Sequence, residues 1–389
     1  MTGDSWKPNV AIMTHPYLQR VGKTPLDNLI TLVRPLTNNL FVITGGDYDA
    51  PPENVELIRV KAKRRKFFMA RVLEQIKIHI RVFFLLLRIR KKIDTVIFFL
   101  GTTFPMPLIF ARALQKECII IYAANRYLPP LSAIKRNERG QLGDLVIVYL
   151  SELLERISFY FSDTLVVYGP SLVEQGKLHK HMKKIVLTHR HFPNFDLYKF
   201  KNDFEQRNDI IGFVGRLEED KGVLNFVKAI PKVATLHADL KFLIIGEGTL
   251  KDEICAFIDK HALNTRVELV GWVAHDKLPD YLTSLKLLVL PSYAEGLPNI
   301  VVEAMACGTP VLVTPVGAVP DIVKDKETGF LIHDNSSACL AQSIDETLAY
   351  PHLKQIAANA RIFAESEFQY EKLAQTWKGI ISGVKKTTC

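Results

Sequence analysis

Cysteine is scarce in this chain of 389 residues: Cys118, Cys255, Cys307, Cys339 and Cys389 are odd in number, scattered, and form no C-x-x-C pair. That argues against a disulfide framework or a cysteine zinc site and leads us to expect a reducing compartment. The opening MTGDSWKPNVAIM lacks a basic-then-apolar leader and runs almost at once into a strand-like segment, so a cytoplasmic location is expected. A full G-x-G-x-x-G is missing too, since Gly246-Glu247-Gly248 stops after its second glycine, which counts against a nicotinamide dehydrogenase. No repeat of short period is present.

What is present is ordinary globular composition, 48% hydrophobic and 23% charged, in a chain longer than one core usually supports. Two domains follow. Apolar runs of strand length alternate with longer helical patterns such as Pro105 to Gln115 and Leu145 to Phe161, which predicts parallel sheets built from βαβ units. Seven strands are expected at Val10 to Met13, Leu40 to Thr44, Val55 to Val60, Thr95 to Leu100, Cys118 to Tyr122, Thr164 to Tyr168 and Ile185 to Leu187, and six more at Ile210 to Val214, Lys241 to Ile245, Val267 to Val270, Leu287 to Leu290, Pro310 to Thr314 and Phe330 to Ile332. Between them HFPNFDLYKFKNDFEQRND is polar and aromatic with no clear period, and we read it as the interdomain linker. The expected architecture is α/β, two facing Rossmann-like domains with a cleft between them, residues 1–193 and 194–365, followed by a C-terminal helical segment, 366–389.

The net charge of +9 is unevenly spread. From Arg59 to Lys92 there are thirteen Lys or Arg and one acid, Glu74, interleaved with Phe67, Phe68, Ile76, Ile80, Phe83 and Phe84. The longest apolar run of this segment, Val82 to Leu87, is six residues, far short of the roughly 20 that span a bilayer. A basic helix with an apolar side can instead lie in the headgroup layer of an anionic membrane. The other uses of such a segment are a solvated helix packed on its own sheet, or nucleic-acid binding, for which no module is found.

The densest chemistry lies in SYAEGLPNIVVEAMACGTPVLV, Ser292 to Val313. Leu287 to Leu290 reads as a strand, Pro298 suits the first helical position, and Gly308 suits the residue past the helix end. Glu295 then falls on the loop at a strand's carboxyl end, where open α/β sheets place ligands. Glu303 falls inside the helix among Val301, Val302, Ala304 and Met305, where a carboxylate needs a partner unless it faces solvent. Upstream, IIGFVGRLEEDKG, Ile210 to Gly222, reads as strand, glycine loop and helix. Gly215 permits close backbone approach, and Arg216 and Lys221 can put positive charge at the strand end, the Arg as a fork and the Lys as a point charge.

The spacing of Glu295 and Glu303 resembles the E-x7-E signature of the family-4 retaining glycosyltransferases of GT-B fold. The resemblance implies that Arg216 and Lys221 hold the donor diphosphate, that Glu295 binds sugar hydroxyls and that Glu303 binds the ribose. Gly246 and Gly248 match the family's G-x-G turn at the nucleotide pocket. In RVELVGWVAHDKLPDYL, backbone groups around Trp272 and Val273 would face the base, although Trp272 reads equally well as a core aromatic. N–H groups near Gly296 and Leu297 would add helix-end dipoles toward the diphosphate. In the first half Gly22 matches the family's phosphate-approaching loop, and His15 stands either in the cleft or in a solvated loop. The family's histidine after the strand CIIIYAANR is absent, leaving Asn125 and Arg126 as substitutes on the acceptor side.

The implied partners are a UDP- or GDP-linked sugar as donor, a glycan or lipid-linked acceptor, and an anionic membrane through residues 59–92, with peripheral attachment to its inner face. No cofactor and no metal is expected, since no D-x-D stands where a metal-dependent transferase would need one. The C-terminal segment is expected to pack back toward the first domain. A pyridoxal-dependent GT-B phosphorylase and a catalytically silent subunit of a glycosylation complex are the competing functions.

Overall fold

The inner strands of both halves are buried on two faces, which is why they read as continuous apolar runs rather than alternating ones. The computed structural model describes residues 7–14, 23–45, 55–63, 68–99, 105–123, 141–199, 204 and 207–383. Its described residues cluster into two units: one holds those up to 169, 176–192 and from 370, the other 170–175 and 193–369.

In the first unit β1 (Val10–Thr14), β2 (Leu40–Thr44), β3 (Val55–Arg59), β4 (Thr95–Phe99), β5 (Glu117–Tyr122), β6 (Thr164–Val167) and β7 (Ile185–Leu187) form one sheet. Their order is β3-β2-β1-β4-β5-β6-β7 and every pairing is parallel. The connections from β3 to β4, β4 to β5 and β5 to β6 carry the helices Phe68–Ile89, Pro105–Ala113 and Gln141–Phe161, which the right-handed rule for parallel crossovers puts on one face of the sheet. The middle helix packs against both others, with Phe110 edge-on to Phe83 at 4.8 Å between ring centroids. The C-terminal helix Tyr370–Ile381 packs on the helix Lys23–Val33, and its fully buried Trp377 donates to the carbonyl of His189 at 3.0 Å.

The second unit repeats the plan with β8 (Ile210–Val214), β9 (Lys241–Ile245), β10 (Val267–Gly271), β11 (Leu287–Leu290), β12 (Val311–Val313) and β13 (Phe330–Leu331). The order is β10-β9-β8-β11-β12-β13, again all parallel. The chain winds outward from β8 to β10 and then returns to the other side of β8. Strand order therefore reverses between β8 and β11, and the loops leaving the carboxyl ends of those two strands flank the resulting switch point.

Candidate active site

Lys221 and Glu295 come from those two loops. Lys221 ends a short 3-10 turn, Glu219–Lys221, after β8; Glu295 sits on the segment between β11 and the helix Asn299–Ala306. Their Nζ and Oε1 atoms are 2.6 Å apart, with side chains only 16% and 8% exposed. Ser292 donates its hydroxyl to the same carboxylate oxygen at 2.7 Å. The loops can approach this closely because Gly222, at φ +66°, has no side chain: a Cβ there would lie 2.0 Å from the carbonyl oxygen of Pro291. Tyr293 N–H donates to the Asp220 carbonyl at 2.9 Å, and Asn225 and Asn335 hold the Pro291–Tyr293 stretch through bonds of 2.7 and 2.6 Å. Arg216 lies beside this pair in sequence, half-exposed, and donates to Asp220 at 2.7 Å.

Gly246 and Gly248 close the neighbouring turn after β9. A Cβ on Gly246, at φ +144°, would meet the Gly215 carbonyl oxygen at 1.8 Å, and one on Gly248 would meet that of Leu217 at 2.3 Å. Both glycines thus seat the β9 turn against the β8 loop. Gly215 has more room, since its Cβ would reach only the Phe213 ring at 3.5 Å.

Glu303 is buried, at 3% exposure, so it is not on a solvated helix side. Its Oε1 accepts from, or faces, Nε2 of His275 at 3.1 Å, and the same Nε2 lies 3.2 Å from the Tyr198 hydroxyl. Burial raises the Tyr198 pKa, with the Glu303 charge adding to it. The hydrogen bond to Glu303 raises that of His275 against an opposing effect of burial. Tyr198 belongs to the stretch read as linker, and His275 to the loop after β10. Neither was singled out by sequence reasoning, because a lone tyrosine in an aperiodic stretch and a lone histidine in a loop carry no spacing signal.

The helix Asn299–Ala306 between them is fixed at both ends. Pro298 is its extended N-cap rather than its first helical residue, with φ −73° and ψ 108°. Gly308, at φ +63°, and Thr309 return their N–H groups to Met305 and Ala304 at 2.9 Å each, a Schellman ending. Two arginines missed by sequence reasoning cover the same end. Arg207 donates to the carbonyls of Cys307 at 2.9 Å and Leu285 at 3.0 Å, and Arg361 donates to that of Ala306. Cations at this end complement the helix dipole, whose positive end points to Leu297 and Gly296. Burial lowers the Arg207 pKa to about 10, which leaves it charged at neutral pH.

Trp272 is 75% exposed, which overturns its reading as a core aromatic. It and the partly buried Val273 stand on the β10 loop that carries His275. His15, Gly22, Asn125 and Arg126 lie outside the described residues.

The two loops offer two cations, Arg216 and Lys221, and two carboxylates, Asp220 and Glu295, at the switch point of a doubly wound sheet, with Glu303 on the helix that follows. Residues 194–363 match the family model of glycosyl transferases group 1. The matched segment contains Glu295 and Glu303, whose spacing gave the resemblance to this family. The 2-deoxystreptamine glucosyltransferase of Streptomyces kanamyceticus is 32% identical over 38% of this chain and 38% of its own. A Campylobacter jejuni enzyme, GalNAc-alpha-(1->4)-GalNAc-alpha-(1->3)-diNAcBac-PP-undecaprenol alpha-1,4-N-acetyl-D-galactosaminyltransferase, is 27% identical over 60% of this chain and 63% of its own. The chain thus spans from about two fifths to under two thirds of these curated relatives. Anabaena HepE, solved in complex with UDP, superposes with a TM-score of 0.71 at 16% identity, covering 96% of this chain and all of that one. The fold is GT-B.

Proposed function

We propose that this protein is a retaining glycosyltransferase that moves a sugar from a UDP- or GDP-linked donor to a glycan or lipid-linked acceptor at the cytoplasmic membrane face, without a divalent metal. The observation that carries this reading is the Lys221–Glu295 pair at the switch point, 2.6 Å across, with Arg216 on the same loop as Lys221. When the bond between the anomeric carbon and the diphosphate oxygen breaks, the electron pair stays on that oxygen and the sugar becomes oxocarbenium-like. Fixed cations at the leaving oxygen lower this barrier. Arg216 and Lys221 supply them, Glu295 orients the sugar hydroxyls, and Glu303 takes the ribose. The group 1 match supports the reaction class, and the undecaprenol diphosphate in the Campylobacter relative's name supports a lipid-linked acceptor.

A thermal-shift panel of nucleotide sugars identifies the donor, since a bound ligand raises stability by mass action. UDP, present with HepE, is the first nucleotide to try. The product's anomeric configuration, read by NMR, should match the donor's; inversion would remove the retaining assignment. Binding without any release of nucleoside diphosphate would favour the silent-subunit reading. Activity should persist in excess chelator, and a complete loss restored only by a divalent ion would contradict the role given to Arg216 and Lys221.

The two glutamates should separate. Glu303→Gln is expected to weaken binding of the free nucleoside diphosphate, whereas a Glu295→Gln exchange should spare it and weaken only the intact donor. Calorimetry of both variants with both ligands reads the difference, and equal losses throughout would remove the assignment.

A further inference from the structure

The imidazole of His275 bridges three elements of the second unit. It stands on the β10 loop, its Nε2 meets Glu303 Oε1 of the Asn299–Ala306 helix at 3.1 Å, and the Tyr198 hydroxyl lies 3.2 Å from the same nitrogen. Its side chain is half-exposed while that of Glu303 is 4% exposed, so the ring joins a buried carboxylate to solvent. Resting on the reading of Glu303 as the ribose ligand, we infer that His275 is a positioning residue of the donor site which makes nucleotide affinity depend on pH.

A buried carboxylate without a compensating charge is costly, and one that must accept from ribose hydroxyls has to be both ionised and held in one orientation. Protonated His275 does both through one charge-assisted hydrogen bond. The groups acting on the imidazole are Glu303, the adjacent Asp276, and Tyr198. The two carboxylates raise its pKa, Glu303 most strongly, against the lowering effect of burial. Tyr198, shifted upward by burial, stays neutral and adds no charge. The imidazolium therefore persists to higher pH than in a free histidine. Above that transition the ring is neutral, its hydrogen bond to Glu303 is no longer charge-assisted, and an anionic nucleotide meets a site with one positive charge fewer.

The affinity of wild-type protein for UDP or GDP should be highest below the His275 transition. It should fall on the order of tenfold above it, the scale set by losing one charge-assisted hydrogen bond. Because a terminal phosphate titrates at about pH 6 itself, uridine and guanosine provide the second arm, carrying ribose and no phosphate. His275→Gln keeps a donor toward Glu303 but cannot be protonated, so its nucleoside profile should be flat and meet the wild type at high pH. His275→Ala should be flat and weaker throughout, with turnover at saturating donor near the wild-type value. Tyr198→Phe should move the inflection without abolishing it, and unfolding temperatures check that each variant is folded. A His275→Gln protein that keeps the wild-type inflection, or a His275→Ala protein that binds as tightly as wild type, would overturn the inference. A wild-type protein that binds nucleotide with a flat nucleoside profile would do so while leaving the donor-site reading intact. Failure to bind UDP, GDP or either nucleoside at any pH would overturn both.

Discussion

Lys221→Ala and Arg216→Ala are each expected to slow release of nucleoside diphosphate from the donor by about 10²-fold or more, the loss typical of removing one donor to a developing anion. The two variants should differ in stability. The Arg216–Asp220 pair has side chains 35% and 41% exposed, and exposed pairs are worth about 0–1 kcal/mol, so Arg216→Ala should unfold near the wild-type temperature. The Lys221–Glu295 pair is largely buried, and removing one partner of a buried pair costs about 3–5 kcal/mol because the other charge is stranded. Lys221→Ala should therefore lose stability as well as turnover. The double variant Lys221→Ala with Glu295→Gln removes the stranded charge. It should recover much of the stability and none of the turnover, which separates a poorly folded enzyme from one lacking its cation. Near-normal turnover in both single variants would take Arg216 and Lys221 out of the mechanism.

Strand positions were legible because a parallel strand covered on both faces reads as a nearly continuous apolar run. Leu40–Thr44, Ile185–Leu187, Ile210–Val214, Lys241–Ile245 and Leu287–Leu290 form over the residues expected. Elsewhere strand ends differ by a residue or so: Pro310 and Thr314 flank β12 instead of joining it. The surroundings of Glu295 and Glu303 were legible for a related reason, since a charge inside an apolar run stands out. What stayed hidden was held by contacts far apart in sequence. Tyr198 and Arg207 lie in an aperiodic stretch yet reach His275 and the end of the Asn299–Ala306 helix, 77 and 100 residues away. No local pattern encodes such a pairing. Trp272 had an ambiguous neighbourhood, because a strand end is equally compatible with a core ring and a ring in solvent.

The basic segment gives the last expected result: the protein should sediment with anionic vesicles at low salt and far less with neutral ones. The helix Phe68–Ile89 has two opposed faces. Glu74, Ile78, Val82, Leu86 and Ile89 are buried against its own unit, which accounts for only one side. Leu73, Ile76, Ile80 and Phe84, at 49–62% exposure, form an outward stripe, with exposed Lys77, Arg81 and Arg88 along one flank. Glu74, the segment's single acid, is turned inward and paired with Arg81 at 3.5 Å, which leaves Lys77 and Arg88 as the flank's cations outside that pair. The helix Gln141–Phe161, beyond Pro105–Ala113, exposes Tyr149, Leu153 and Tyr160 on one stripe. Aromatic side chains of this kind suit the interfacial layer. Among the described residues no helix is long and apolar enough to cross a membrane. Each Lys or Arg near an anionic surface contributes on the order of 1 kcal/mol, screened over about 8 Å at physiological salt. Binding should therefore weaken along a salt series without vanishing, because the apolar stripe is not screened. Lys77→Glu with Arg88→Glu should remove the salt-sensitive part, and Ile80→Glu with Phe84→Glu the residue that survives high salt. Reversing Arg64, Arg65 and Lys66, which lie outside the described residues, should add to the first effect. Recovery of the protein in the supernatant with anionic vesicles at low salt, or binding unmoved by either pair of substitutions, would leave this helix a solvated one.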